Sequence, residues 1–316
     1  MHIVCWCRAA IWDIETYWIV KHESIGDAFF DAEVGEFLME ELWYSRKHGG
    51  EPCSRRCHGE SRTAPGASVG PAWTEQLQRH GKMGEVSQPL HIETTCEVRN
   101  IIKDISSGKY WVDLSNGTRV CVDLVISAIG VDPTQNVAWV PSCVQRAFDG
   151  GLLVSKDMET SFRDVFAAGD ACTVETEKDT PWFQMRLWSQ ARAMGQRAAH
   201  CMLGIQDQMA SELAFDLFVH VTHFLGKRVI LLGCFNGQTL DESASPIKFY
   251  SRVMNELPHR NFVRVVIQDG RMKGAICIGD TGLEETLENL IMDGIDVSAF
   301  GPDILDPDGG LEDIFD

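Results

Sequence analysis

One stretch, Thr160-Ser-Phe-Arg-Asp-Val-Phe-Ala-Ala-Gly-Asp170, constrains the fold of this chain more than any other. Val165 and Phe166 open a strand, and Ala167, Ala168 and Gly169 then strip away side-chain bulk. Small residues let a neighbouring chain or a ligand come close, and the carboxylate of Asp170 can accept hydrogen bonds from vicinal hydroxyls. A helical pattern follows from about Trp182 to Leu203, with Pro181 where a helix's first turn tolerates proline. Strand, Gly-Asp and helix in that order put the carboxylate at the edge where open α/β sheets bind ligands. A Gly-Asp pair alone reads more readily as a turn or helix-capping aspartate. The surrounding positions favour the ligand.

The remainder fits an α/β scheme. Thr16–Lys21 reads as a buried strand, and Ala28–Trp43 as a helix with Phe29, Phe30, Val34, Phe37, Leu38 and Leu42 at helical spacing. Between Ser45 and Pro89 the periodicity lapses, and seven Lys/Arg outnumber four Glu. That composition reads as a flexible surface insertion; a basic docking or import segment is the sharper alternative. Strand signals return over His91–Ile105. Asn116-Gly117 between Tyr110–Leu114 and Thr118–Val122 marks a hairpin. Asp123–Gly130 predicts an apolar strand buried on both faces, and Leu152–Lys156 another extended piece. Beyond Gly204, Phe215–Phe224 looks helical, Val229–Gly233 is a strand, Phe262–Ile267 and Met272–Ile278 form a hairpin, and Leu283–Met292 is a helix. The last fifteen residues carry six acids and no base, as a solvated tail would.

Charge and cysteine usage exclude several classes. Among 316 residues, 28 Lys and Arg face 46 Asp and Glu, a net charge of −18 that repels a phosphate backbone, so nucleic acid is not an expected partner. No run approaches the roughly 20 apolar residues of a membrane span. The first residues lack the basic head and apolar run of a secretory signal. Eleven scattered Cys suit reduced thiols, and the expected location is cytoplasm and nucleus.

Thr160-x4-Val165-Phe-Ala-Ala-Gly-Asp170 resembles the second flavin-binding motif of the pyridine nucleotide-disulphide oxidoreductases. Asp123-x4-Ala128-x-Gly130-x2-Pro133 resembles that family's turn between its nicotinamide and flavin domains. Trp188-Ser-Gln-Ala-Arg-Ala-Met-Gly195-x2-Ala198-Ala199 resembles the helix whose N-terminus faces the flavin ring. Ile25–Ala32, His91–Val98, Gln184–Trp188, Phe218–Thr222 and Leu283–Leu290 extend the resemblance over essentially the whole chain. It implies an α/β fold: an incomplete flavoprotein with two Rossmann-like dinucleotide-binding domains, for FAD and NAD(P), and a C-terminal α+β domain. The expected division is 1–44 and 91–130 for the NAD(P)H domain around the 45–90 insertion, 131–203 for part of the FAD domain, and 204–316 for the C-terminal domain and acidic tail.

The implied activity is hydride transfer from NAD(P)H through FAD to an oxidised protein, small disulphide or other oxidant. Association with the tRNA ligase complex, protecting it from oxidation, is implied by the same resemblance. Asp170 would hold a ribityl hydroxyl, with Gly130, Gly169, Ala171, Trp182 and Gln184 also lining the cofactor. Lys21 would lie near the adenosine ribose, where it favours a 2′-phosphate; a plain surface lysine is the other reading.

Some family features are missing. Neither Gly-x-Gly-x-x-Gly turn occurs in the chain, so the expectation is a form lacking the N-terminal third, with weak or no FAD binding by itself. The catalytic residues stay unassigned. Cys5-x-Cys7 and Cys53-x3-Cys57 lack the Cys-x-x-Cys spacing of flavin-linked pairs. Cys53, Cys57 and His58 lack a fourth metal ligand, so no metal is expected. Two rivals follow: an inactive interaction protein, and a thioredoxin reductase-like catalyst with its own thiols.

Overall fold

The computed structural model describes residues 15–27, 29–48, 90–133, 139–175, 180–205, 215–255, 257 and 259–306. The insertion beyond His48, the cysteine pairs near residues 5 and 53, and the acidic tail beyond Asp306 lie outside these; the first residues of the predicted solvated tail are instead packed, with Ile304 and Leu305 buried in the core of the second unit. The chain divides into two compact units, with the break between Gly130 and Val131.

In the first unit, β1 (Thr16–Ile19) lies parallel to β2 (Leu90–Glu93), with Thr16 opposite Leu90. Helix α1 (Ala32–His48) starts where Asp31 Oδ1 accepts the Val34 N–H at 3.2 Å. Its buried positions Val34, Phe37, Leu38 and Glu41 follow the helical period. The expected run His91–Ile105 splits into β2 and β3 (Val98–Lys103). With β4 (Tyr110–Leu114) and β5 (Arg119–Val122), β3 makes an antiparallel meander over Cys96, Val112, Leu114 and Val120. Gly117 takes φ +86° in the predicted turn.

Asp123–Gly130 departs from expectation. It forms no ladder, and Leu124 and Ile129 are 71% and 72% exposed. An apolar strand buried on both faces needs a hydrogen-bonded neighbour on each side. Among the described residues none pairs with this one.

The second unit has two parts. In the first, β6 (Leu152–Val154) pairs in parallel with β7 (Cys172–Val174), and helix α2 (Trp188–Leu203) completes a core of Val144, Leu152, Val154, Met158, Cys172, Val174, Trp182, Met194 and Ala198. The second is a five-stranded antiparallel sheet: β8 (Val219–Phe224), β9 (Lys227–Gly233), β10 (Lys248–Met254), β11 (Asn261–Gln268) and β12 (Arg271–Ile278), ordered β10-β11-β12-β9-β8. Helix α3 (Glu284–Asp293) buries Leu287, Leu290 and Ile291 against Val263, Val265, Ala275 and Cys277. Deleting one such side chain typically costs about 2–5 kcal/mol.

Phe215–Phe224 therefore supplies a strand where helix was expected. The spacing of Phe215, Phe218 and Val221 imitates a helical stripe. The β-branched Val219, Val221 and Thr222 instead pair with Leu232, Ile230 and Val229. Phe183 stacks on Phe218 with ring centroids 4.3 Å apart, and both meet Phe235, which ties the two parts of this unit together.

Candidate functional site

The Gly-Asp motif sits at the junction of β7 and α2. Val165–Ala168 is extended but is not a laddered strand; its one pairing is an isolated bridge from Phe166 to Glu159. Gly169, Asp170 and Ala171 form one 3-10 turn that feeds directly into β7. Gly169 is buried at φ +76°, and a Cβ there would stand 3.3 Å from Ala191 Cβ of α2. Glycine is required here for left-handed backbone and for helix contact at once. Asp170 is half-buried, and its carboxylate has no ion pair or hydrogen bond among the described residues.

The expected helix start is corrected. Residues 182–187 are not helical, and α2 begins at Trp188 behind the extended Leu187, which gives no side-chain cap. Pro181 therefore does not sit in its first turn. The reason is chemical. Gln184 uses its amide on the open edge of β7, accepting the Val174 N–H at 2.9 Å and donating to the Cys172 carbonyl at 3.0 Å. Gln190 reaches back in the same way, to the Met185 N–H at 2.7 Å and the Phe183 carbonyl at 2.9 Å. These bonds hold 183–187 as a strap along β7. The close contact of α2 with the turn is made by Ala191, whereas Gly195 faces open space and Ala199 is exposed. Trp188 and Ser189, in the first turn, are exposed, so the N–H groups at this end of the helix are open to solvent.

The structure brings Gly169, Asp170, Ala171 and Gln184 together. Trp182 is 5% exposed, packed in the core against Phe215 with centroids 5.2 Å apart. Lys21 and Gly130 belong to the first unit. Lys21 Nζ lies 3.1 Å from Glu97 Oε1 and holds that carboxyl below the usual range. Gly130 is exposed at φ +97°. Among the described residues, no group of three or more His, Cys, Asp and Glu could hold a metal ion.

Sequence reasoning missed Asp149 and Arg186. Arg186 Nη2 lies 2.6 Å from Asp149 Oδ2, and both side chains are largely buried. Burial pushes the Asp149 carboxyl up, but Arg186, the Gly151 N–H and Thr173 outweigh it and leave it below its ordinary value. The stabilisation is therefore present above the ordinary carboxylate range, near about pH 4, and fades as pH falls below it. The run Asp149-Gly-Gly151 signalled a turn, in which the carboxylate accepts the Gly151 N–H at 3.0 Å, but nothing along the chain pointed to Arg186. Cys172 donates weakly to the Gly169 carbonyl, and burial pushes its thiol up to about 12, Arg186 pulling the other way.

The half-exposed Asp170 and the exposed first turn of α2 suit a polyol arm ending in a ring that gains negative charge. For a pyrophosphate, the sequence contains no Gly-x-Gly-x-x-Gly turn, and no backbone cradle of that kind occurs among the described residues. The residues fit the ribityl–isoalloxazine end of FAD and not its pyrophosphate.

Comparison with known proteins bears on the same region. Residues 65–195 match the family model described as pyridine nucleotide-disulphide oxidoreductase. Proteins called pyridine nucleotide-disulfide oxidoreductase domain-containing protein 1 are similar along most of the chain. The one from Mus musculus is 36% identical over 96% of this chain and 67% of its own length. The one from Homo sapiens is 34% identical over 96% of this chain and 66% of its own length. The chain thus spans about two-thirds of these relatives. In fold it is similar to a chain of the covalent putidaredoxin reductase–putidaredoxin complex, with a TM-score of 0.62 at 17% identity, over 96% of this chain and 58% of that one.

Proposed function

Since the chain belongs to the pyridine nucleotide-disulphide oxidoreductase family, we propose that its protein is an FAD-dependent oxidoreductase that passes a hydride from NAD(P)H to a disulphide or other oxidant. The carrying observation is Asp170: a half-exposed carboxylate, unpartnered among the described residues, set by a glycine turn against the start of a helix. FAD, when bound, supplies the two-electron chemistry, and the protein's part is position and electrostatics. Asp170 would accept hydrogen bonds from ribityl hydroxyls. The first turn of α2 would favour negative charge on the ring by about 0.3–1 kcal/mol if exposed, and more if buried. Gly169 and Ala191 fix the spacing between the two. An oxidised protein or small disulphide is the proposed acceptor, and a role beside the tRNA ligase complex in cytoplasm or nucleus rests on the family resemblance alone.

The test is anaerobic titration of flavin-loaded protein with NADPH and NADH. The flavin band near 450 nm is expected to bleach with about one equivalent of the preferred nucleotide, as two-electron hydride transfer requires. An unchanged band with both nucleotides would end the enzyme reading. A second reading, an inactive interaction protein, is favoured by the missing Gly-x-Gly-x-x-Gly turns. A thiol-based catalyst is disfavoured at Cys172 by its buried, high-pKa thiol.

A further inference from the structure

The Asp149–Arg186 pair has a use beyond joining two loops. Arg186 Nη2 donates to Asp149 Oδ2 at 2.6 Å and to Thr173 Oγ1 at 3.2 Å, while its Nε donates to the main-chain carbonyl of Asp170 at 3.3 Å. The Asp149 carboxylate also accepts from Thr173 Oγ1 at 2.9 Å and from the Gly151 N–H at 3.0 Å. The side chains are 23% exposed for Arg186 and 19% for Asp149. Gly151 leaves no slack, since a Cβ there would stand 2.8 Å from Thr173 Oγ1.

One guanidinium thus grips three pieces of chain, and one of them is the backbone of Asp170. It does not touch the Asp170 carboxylate. A guanidinium already on the carbonyl of a residue lies within a side-chain rotation of that residue's carboxylate, and Coulomb attraction in a half-buried setting favours the move. Asp149 offers the competing partner, with a short charge-assisted bond and a full set of further donors. The two acids compete for one base, and Asp149 holds it.

We propose that Asp149 is a positioning residue: by keeping Arg186 on the main-chain side of the Gly169–Ala171 turn, it leaves the Asp170 carboxylate open to the ribityl hydroxyls of a flavin. This rests on the flavoprotein reading and deepens it, by naming what prevents the site from neutralising itself.

Riboflavin is the direct probe, because it carries the ribityl–isoalloxazine group without a pyrophosphate; FAD is the second. Fluorescence-quenching titrations compare wild type with Asp149→Asn, Arg186→Gln and the double variant, each checked for folding by circular dichroism. Asp149→Asn is expected to weaken flavin binding about tenfold, because the released guanidinium closes on Asp170. Arg186→Gln is expected to weaken it less, and the double variant to recover most of the Asp149→Asn loss. A purely structural ion pair would give comparable losses in the two single variants, and that result would overturn the proposal; recovery in the double variant is common to both cases, because removing both partners strands no buried charge.

Wild-type protein that binds neither probe refutes the flavoprotein reading instead, and the positioning is then read without ligand. The Arg186 Nε–H resonance, assigned by its loss in Arg186→Gln, is followed by 15N NMR. Asp170→Asn is expected to shift it strongly in the Asp149→Asn background and little in wild type. Equal responses in both backgrounds mean that the guanidinium never transfers to Asp170, and the proposal fails.

Discussion

Cys172 follows Gly-Asp by one residue, and its position invites a redox role that its surroundings refuse. The side chain is fully buried in the small core that also holds Val154 and Met194, and burial pushes its thiol up to about 12. A raised thiol pKa keeps the group protonated through the working pH range, and the thiolate is the reactive form. Iodoacetamide at pH 8 is therefore expected to modify the exposed Cys121 and Cys143 in folded protein and to spare Cys172. Mass spectrometry of the peptides checks this, and labelling of Cys172 at a rate comparable with Cys121 would contradict it. At this scale the sequence was readable where a residue's role is local. The glycine turn at Gly169 and the burial of Cys172 could be read from neighbours along the chain. Arg186 could not, because its partners Asp149 and Thr173 come together only when β6 and β7 pair.

Among the elements, the junction of the turn with α2 carries the proposed site. Gly169 combines a φ of +76° with a backbone so close to α2 that a Cβ would stand 3.3 Å from Ala191 Cβ. Gly169→Ala is expected to cost about 1–2 kcal/mol from the left-handed backbone alone, with the Ala191 contact adding to it. Urea unfolding measures the loss. In an Ala191→Gly background, which removes the contact at its own helix cost of about 1 kcal/mol, Gly169→Ala should still cost most of what it costs in wild type; no cost there would show that backbone strain is not the cause. Hairpins were legible because their turns are chemical: Gly117 and the pair Asp269-Gly270 all take positive φ. Strand β8 was not, because aromatic residues three apart imitate a helix. Strand β10 was missed because its polar, half-exposed alternation Lys248–Met254 becomes a strand only against β11. The start of α2 was misplaced because Gln184 and Gln190 spend their amides on neighbouring backbone, a tertiary effect that no capping rule anticipates.

For the molecule as a whole, the family and its fold class were visible in the chain, but the completeness of a cofactor site is a separate matter. The proposed flavin site rests on one half only: a carboxylate proposed for the polyol arm, a glycine turn, and a helix end. The other half, a backbone cradle for the pyrophosphate, has no counterpart in this sequence. The most direct measurement is equilibrium dialysis of wild type and Asp170→Asn against riboflavin and FAD. Loss of a charged acceptor facing a hydroxyl is expected to loosen binding about ten- to a hundredfold. Because the fit stops at the ribityl arm, the wild-type dissociation constants for riboflavin and FAD should lie within about tenfold of each other. Identical flavin binding by wild type and Asp170→Asn would contradict the assignment of this carboxylate, and with it the flavin site itself.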